Sequence, residues 1–515
     1  MNKEILIGIA ILGFGVWLGN YFIQIGRTKL SEKSTEKISE DVRKNKEEIH
    51  ALKIAVENFS KESFDLKEET GFTKKQLIII AKNVIEKSKS LIDKGNAFLV
   101  LNQYDNAINQ YSEVIALDEF NSLAYFYRGR ASFSKLNNIK VLKEKSTFFF
   151  FDVPTRKNSK TKIYLQKSEK ILNDYNKALE LDPENSNYYY HRAETFIILN
   201  KYDSAFSDIK NAINLTPNDV DLYNLRGIIY SNLGLLNNDH KLFKKALEDF
   251  DRIIKISPKN VLFYLNKALV YSRLKDYKND VIYYTKAIEL DSNYAKAYYN
   301  RGVTYQILEK YNPAINDFTK AIEFDSHYTE AYYYRGITYK ILKKYNLAID
   351  DYTKVIILDN ESLKAYTNRG VCYALIQDFE SSINDFNKSI EINSESPDLY
   401  TNRASSFFSL KKYKQALNDY DRAISLDPKN QSAYLGRGIC FALIKDYESS
   451  IKDFNKLMEV NPKSFELFIN RGNSFLNLKK YKQAISDYNK ALSLNPNNFV
   501  ATKNRAKALR LLNKK

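Results

Sequence analysis

The sequence predicts an all-α protein: a solenoid of helix–turn–helix pairs preceded by a transmembrane helix and a helical stalk. Three observations carry that expectation. A small residue, followed three positions later by tyrosine in several copies, returns every 34 residues through most of the chain. Glycine and proline number only 16 and 9 among 515 residues, so little interrupts helices built from abundant helix formers. An uncharged run of apolar residues stands near the start. Hydrophobic residues at 44% and charged residues at 27% are a globular composition, long enough for several domains or one array.

The first element, within residues 1–27, is the run "ILIGIAILGFGVWLGNYFIQI" at residues 5–25. At ~1.5 Å per residue a helix of this length spans ~30 Å, the hydrocarbon thickness of a bilayer. A cleaved signal peptide is the rival reading, but its apolar region is shorter, and "YFIQIG" is a poor cleavage site. Arg27, Lys29, Lys33 and Lys37 outweigh Lys3 and the terminal amine, which by the positive-inside rule places the body of a single-pass membrane protein in the cytoplasm. Gly15 and Gly19 form a small-xxx-small pair that lets two membrane helices approach closely.

Residues 28–70 read as a coiled-coil-like stalk. Ile38, Val42, Asn45, Ile49, Leu52, Val56 and Phe59 recur at spacings of 4 and 3, a heptad seam with β-branched residues at its a positions. That pattern suits a parallel homodimer, with Asp41 and Glu48 facing Lys46 and Lys53 of the partner. The alternative is one amphipathic helix lying on the rest of the protein. Gly71 is expected to end the stalk, and residues 71–87 form a lead-in helix.

The repeated small residues are Gly95, Gly129, Ala193, Gly227, Ala268, Gly302, Gly336, Gly370, Ala404, Gly438, Gly472 and Ala506. Two gaps exceed the period, by 30 and by 7 residues, and are read as insertions between paired helices, near 137–168 and 234–242. One copy reads Tyr298-x2-Arg301-Gly302-x2-Tyr305, then Ala314-x3-Phe318, then Ala321, and other copies close on Pro183, Pro217, Pro258, Pro428, Pro462 or Pro496. This resembles the tetratricopeptide repeat (TPR) family. Eleven repeats fit, at 88–121, 122–185, 186–219, 220–260, 261–294, 295–328, 329–362, 363–396, 397–430, 431–464 and 465–498. Residues 499–515 add a capping helix and a basic tail, since the last repeat needs cover. The resemblance implies a right-handed α-solenoid that binds proteins. It specifies fold strongly and function weakly, because one fold hosts many functions.

Each repeat is numbered from 1, so that the small residue is position 8. Position 7, beside it, holds Arg301 where the family pattern has leucine. Position 23, on the second helix, then holds Asp317. Arg128 goes with Asp174, Arg192 with Asp208, Arg226 with Asp249, Arg335 with Asp351 and Arg369 with Asp385. Arg403 likewise goes with Asp419, Arg437 with Asp453 and Arg471 with Asp487. Where position 7 is Lys94 or Lys267, position 23 is Gln110 or Tyr283. The matched loss predicts an ion pair joining the two helices of a repeat, since guanidinium forks a carboxylate as lysine cannot. An aspartate facing the next repeat's first helix, as Asp487 with Arg505, is the other possibility.

By the family resemblance, positions 5, 6 and 9 of the first helix line a concave groove. Position 6 supplies Asn266, Asn300, Asn368, Asn402, Asn470 and Asn504, interrupted by His191 and Tyr334. Position 5 adds Tyr190, Tyr299 and Tyr333. Position 9 adds Ile228, Leu269, Val303, Ile337, Val371 and Ile439. Asparagine both donates and accepts, so such a row can bond an extended peptide backbone. The expected activity is therefore a non-catalytic protein–protein interaction scaffold, holding a partner peptide or helix at a membrane. The alternatives are a nucleic-acid-binding helical repeat and a regulatory subunit of a membrane-associated enzyme or secretion or assembly complex.

The net charge of +17 raises an anionic partner. It is local, however. Residues 137–168 carry eight basic and two acidic residues, and 499–515 carry six basic and none acidic. Phe148–Phe151 beside Arg156, Lys157, Lys160 and Lys162 either touches an anionic membrane or a partner, or folds onto its own repeat. A continuous basic groove for nucleic acid is not expected, because the arginines are matched to aspartates. No cofactor or metal is expected either. The four histidines, His50, His191, His240 and His327, are scattered, and no Gly-rich phosphate loop or nucleophile elbow is present. Cys372 and Cys440, both at position 10, read as buried packing residues.

Overall fold

The computed structural model of the protein describes residues 32–58, 71–137 and 159–513. The apolar run at 5–25, Phe59 and Phe148–Phe151 lie outside the described residues. Among the described residues there are helices and turns and no strand, and no helix is long and apolar enough to cross a membrane. The chain divides into two compact units, Met1–Lys286 and Ala287–Lys515.

The first unit begins with α1 (Glu32–Asn58) and α2 (Lys74–Lys87). Helix pairs follow: α3 (Leu91–Val100) with α4 (Tyr104–Leu117), α5 (Ser122–Asn137) with α6 (Ser159–Leu181), α7 (Ser186–Ile198) with α8 (Tyr202–Leu215), and α9 (Val220–Asn237) with α10 (His240–Ile256). Next come α11 (Val261–Arg273) and α12 (Tyr277–Leu290). In the second unit the pairs are α13 (Ala295–Ile307) with α14 (Tyr311–Phe324), α15 (Thr329–Ile341) with α16 (Tyr345–Leu358), and α17 (Leu363–Leu375) with α18 (Phe379–Ile392). They continue as α19 (Pro397–Ser409) with α20 (Tyr413–Leu426), α21 (Gln431–Leu443) with α22 (Tyr447–Val460), and α23 (Phe465–Asn477) with α24 (Tyr481–Leu494). Helix α25 (Phe499–Leu512) closes the array.

The stalk seam is used differently from the expected dimer. Ala51, Leu52 and Ala55 of α1 are buried in one cluster with Leu77, Ile80, Ala81 and Val84 of α2 and Ala97 of α3. Asn45 is exposed. The expected parallel homodimer is thus corrected over this stretch: Leu52 is covered by its own chain. The physical reason is that α2 carries an apolar face of its own, and the alanines flanking Leu52 let the helices approach closely. Helix α2 starts from a capping box, in which Thr73 accepts from the Gln76 N–H and the Gln76 side chain accepts from the Thr73 N–H (2.8 Å).

Within a repeat, position 8 must be small because an aromatic ring from position 24 lies over it. A Cβ at Gly302 would sit 2.8 Å from Phe318, one at Gly129 2.8 Å from Tyr175, and one at Gly336 2.9 Å from Tyr352. Those rings are almost fully buried, each contributing about 1.5–3 kcal/mol of apolar burial. The first helix ends in a Schellman motif. In the repeat quoted above, the Lys310 N–H donates to the Tyr305 carbonyl at 2.8 Å and the Glu309 N–H to that of Gln306 at 3.0 Å. Position 15 is then left-handed, as at Glu309 (φ 57°) and Lys343 (φ 58°).

The second insertion is not a loop between paired helices. Its extra residues lengthen the helices themselves, giving α9 18 residues and α10 17, against 13 in α13 and 14 in α14. The αL residue Asn238 (φ 51°) turns the chain. Part of the first insertion is likewise helical, because α6 starts at Ser159 and runs 23 residues.

Candidate functional site

The arginine row is structural, as its matched aspartates imply. In all nine repeats the guanidinium donates through Nε and Nη2 to both oxygens of the carboxylate at position 23. Arg369, for example, donates to the two oxygens of Asp385 at 2.8 Å each. The pair sits half in the interior. Hydrogen bonding to Asp385 pushes the Arg369 guanidinium above its ordinary value, while burial lifts the carboxyls of Asp208, Asp249 and Asp351 above theirs against the pull of their arginines. Aromatic rings at positions 4 and 11 flank the guanidinium, Tyr366 at 5.7 Å and Tyr373 at 5.8 Å in that repeat.

A third arm escaped the sequence reading. Nη1 reaches position 25 of the preceding repeat: Arg335 to Thr319 (3.0 Å), Arg369 to Thr353 (2.9 Å), Arg403 to Asn387 (2.7 Å) and Arg471 to Asn455 (2.6 Å). One residue therefore ties three helices and sets the stacking of repeats as well as the closing of each. Asp487 bonds Arg471, and Arg505 instead bonds Asn489 (3.1 Å), which corrects the alternative of an aspartate facing the next repeat. Lys267 keeps the same geometry, donating to Tyr283 (2.9 Å) and to Asp251. Ser112 answers Arg128 at position 25 (3.3 Å), although position 23 there is Gln110, so the signal was a polar residue two places after position 23 in every repeat.

The opposite face of the first helix holds positions 2, 6, 9 and 13, which fall within about 60° of one another at 100° per residue. In the second unit this face is open. Asn300, Asn368, Asn402 and Asn470 are half-buried, as are Tyr333, Tyr334, Val303, Ile337, Val371 and Ile439. Neighbouring first helices are cross-linked along it. Lys340 donates to the Asn368 carboxamide oxygen (2.5 Å), Asn368 donates to Tyr333 (3.2 Å), and Gln306 donates to Thr338 (3.0 Å). The carboxamides of Asn300, Asn402 and Asn470 have no partner among the described residues. Position 13 was overlooked in the sequence: Ile307, Ile341, Leu375 and Leu443 are each about half exposed. The signal was an aliphatic residue one turn beyond position 9 in four of these repeats.

Three expected groove residues do not reach this surface. Tyr299 is 1% exposed, packed among Phe318, Tyr328 and Tyr334 at centroid distances of 6.1, 5.0 and 5.7 Å. Burial drives its phenol far above the usual value. Tyr190 is 3% exposed, and Asn266, 8% exposed, donates to Asn224 at 2.9 Å. The two tyrosines are at position 5, at the edge of this face, where Tyr299 turns toward Tyr334 of the neighbouring first helix while Tyr333 stays half-buried; Asn266, at position 6, belongs to the closed first unit. The asparagine row also breaks at Gly436, for Tyr420 leans across from the preceding repeat, and a Cβ there would meet its ring at 2.3 Å.

In the first unit the same positions are closed. Tyr127, His191, Leu225 and Asn266 at position 6 are buried, as are Arg130 and Ile228 at position 9. Arg130 Nη1 lies 2.8 Å from His191 Nδ1, which lies 2.5 Å from a Glu194 oxygen, and His191 is fully enclosed. Charge is here spent on joining helices, not on a ligand. Cys372 and Cys440 are buried as expected, and burial pushes each thiol up to about 11.

Profiles described as tetratricopeptide repeat match residues 92–137, 174–206, 262–294, 295–328, 329–362, 363–396, 397–430 and 465–498, more than half of the chain together. No curated protein matches the sequence significantly. Among solved structures the chain is similar to YrrB, described as a TPR protein with an unusual peptide-binding site, at 25% identity over 36% of this chain and 95% of that one, with a TM-score of 0.34. It is similar to the C-terminal part of a TPR repeat-containing protein from Cytophaga hutchinsonii at 20% identity over 47% and 98%, TM-score 0.42. It is also similar to yeast Tom70 at 17% identity over 84% and 96%, TM-score 0.32.

Proposed function

The chain belongs to the tetratricopeptide repeat family, whose members typically mediate protein–protein interactions, and we propose that it is a non-catalytic scaffold holding a partner polypeptide against the first helices of its second unit. One observation carries the reading. A row of half-buried asparagines at position 6 lies beside the aliphatic rows at positions 9 and 13 on a face that no other helix of that unit covers. Carboxamides supply donors and acceptors to a peptide backbone, and the aliphatic rows supply desolvation. Of the expected groove residues, Asn300, Tyr333, Tyr334, Asn368, Asn402 and Asn470 remain as contacts, Tyr299 supports the wall from behind, and Tyr190 and Asn266 belong to the interior of the first unit. The nine arginines, each bonded to an aspartate, are spoken for, which weighs against a nucleic-acid surface.

The apolar run at residues 5–25 places this scaffold at a membrane in the same reading, with the repeats on the cytoplasmic side. A photo-crosslinking residue at Asn402 or Leu375 is expected to capture a partner in membranes, and one at Asn346, exposed on a second helix, is not. Equal capture from all three positions defeats the proposal. Protease accessibility of the repeats in sealed vesicles tests the sidedness.

A further inference from the structure

The structure carries an asymmetry along the open wall that points to the chemistry of its occupant. Position 15, which follows the exposed aliphatic residues at 13 and 14, is left-handed in every described repeat that shows it. Asparagine and glycine tolerate that conformation; a long side chain is disfavoured there. The first unit obeys this preference with Asn102, Asn200 and Asn238, Lys275 being its exception. The second unit departs from it more widely, with Glu309 at φ 57° and Gln377 at 66° and, at its other four turns, Lys343, Lys411, Lys445 and Lys479 at 58°, 58°, 69° and 61°. All four are exposed and have no partner among the described residues. Four of the six side chains at this turn are cations that bond nothing in their own chain, and a rim of net positive charge suits an anionic partner. The cations stand at one rim of the wall, beside the aliphatic row, with the unsatisfied asparagines beyond it.

We propose that the occupant of the second unit's wall is an acidic, extended polypeptide segment whose aliphatic residues lie on positions 9 and 13 and whose carboxylates face the position 15 lysines. This rests on the reading above and adds a charge and a spacing to it. Neighbouring packed helices lie ~10 Å apart, and a chain extended as a polyproline II helix covers ~9 Å in three residues while returning every third side chain to the same face. The partner therefore carries one aliphatic and one acidic residue in each three-residue step. A phospholipid surface would use the lysines and the aliphatic rim but leave the asparagine row unused, so the polypeptide is the better fit.

The test uses the full chain and three fluorescent 15-residue peptides built from Glu-Leu-Ser, Gln-Leu-Ser or Lys-Leu-Ser triplets, followed by anisotropy. The glutamate peptide is expected to bind at least tenfold tighter than the glutamine one, with the lysine peptide weakest and the preference shrinking as salt rises. Replacing all four lysines with asparagine (K343N, K411N, K445N, K479N) is expected to abolish the preference while Tm stays the same or rises, because asparagine suits the left-handed turn. Equal binding of the glutamate and glutamine peptides, or a preference that survives in the quadruple variant, overturns the charge assignment. In either case weaker binding of every peptide to the double variant L375S, L443S leaves the wall itself standing. Binding of none of the peptides, or lysine-dependent binding only to phosphatidylserine vesicles, overturns both.

Discussion

The two units use one repeat geometry and one arginine clasp, yet the outer face of their first helices differs. In the first unit, positions 6 and 9 hold Tyr127, Arg130, His191, Glu194, Leu225 and Ile228, and the face is closed by side chains that bond or pack across helices. In the second unit position 6 is asparagine at Asn300, Asn368, Asn402 and Asn470, position 9 is β-branched at Val303, Ile337, Val371 and Ile439, and the face stays open. Repeat arrays allow this because each repeat contacts only its neighbours, so stability and recognition are set locally. A small set of substitutions on one helical face converts an open surface into an interior.

The sharpest break of that comparison is at the buried network. Glu194→Leu is expected to destabilise the protein by about 3–5 kcal/mol, since it leaves Arg130 and His191 enclosed without their carboxylate. Asn402→Leu, at an equivalent face in the second unit, is expected to shift stability by less than about 0.5 kcal/mol. Thermal unfolding of both variants decides the matter, and equal losses would mean that the two faces do not differ in kind.

Next in size is the clasp, common to both units. Asp385→Ala strands Arg369 in a half-buried seam and is expected to destabilise by about 2–4 kcal/mol, whereas Asp350→Ala, exposed on the second helix of the preceding repeat, changes stability by under about 0.5 kcal/mol. Matching denaturant midpoints for the two would remove the clasp from the account. Gly436→Ala should weaken the second unit by about 1–3 kcal/mol through the collision with Tyr420, and the additional Tyr420→Leu replacement should recover part of it. If Gly436→Ala leaves Tm unchanged, the interruption of the asparagine row has another origin.

The smallest effect is chemical. With thiols near 11 rather than the usual ~8.5, Cys372 and Cys440 present on the order of a hundredfold less thiolate at pH 8. Iodoacetamide should label the native protein far more slowly than the unfolded chain, with rate rising as pH increases toward that value. Rapid native labelling would show that the second unit's interior opens readily.

Much of this was legible beforehand because repetition supplies its own controls. Eleven copies of one pattern let a substitution at position 7 be checked against position 23, and the exceptions at Lys94 and Lys267 made the pairing visible without coordinates. The third arm to position 25 was not legible, for serine, threonine, asparagine and aspartate all serve there and no single letter repeats. The site was half legible. Asparagine at position 6 announced itself, but its burial at Asn266 and exposure at Asn402 depend on neighbours the letters do not specify. The stalk shows the same limit, since a heptad seam at Leu52 fits a second copy and its own chain equally well.

The sequence by itself determined the helix pairs, their period, the small residue under each aromatic ring and the ion pair that closes each repeat. These follow from spacing along one helix and from contacts at a constant separation of sixteen residues in most copies. Tertiary structure alone decided which unit keeps an open face, which tyrosines are interior and where the stalk's apolar seam is buried. Those outcomes depend on how whole helices rotate and approach, a quantity that emerges only when all the side chains compete for the same space.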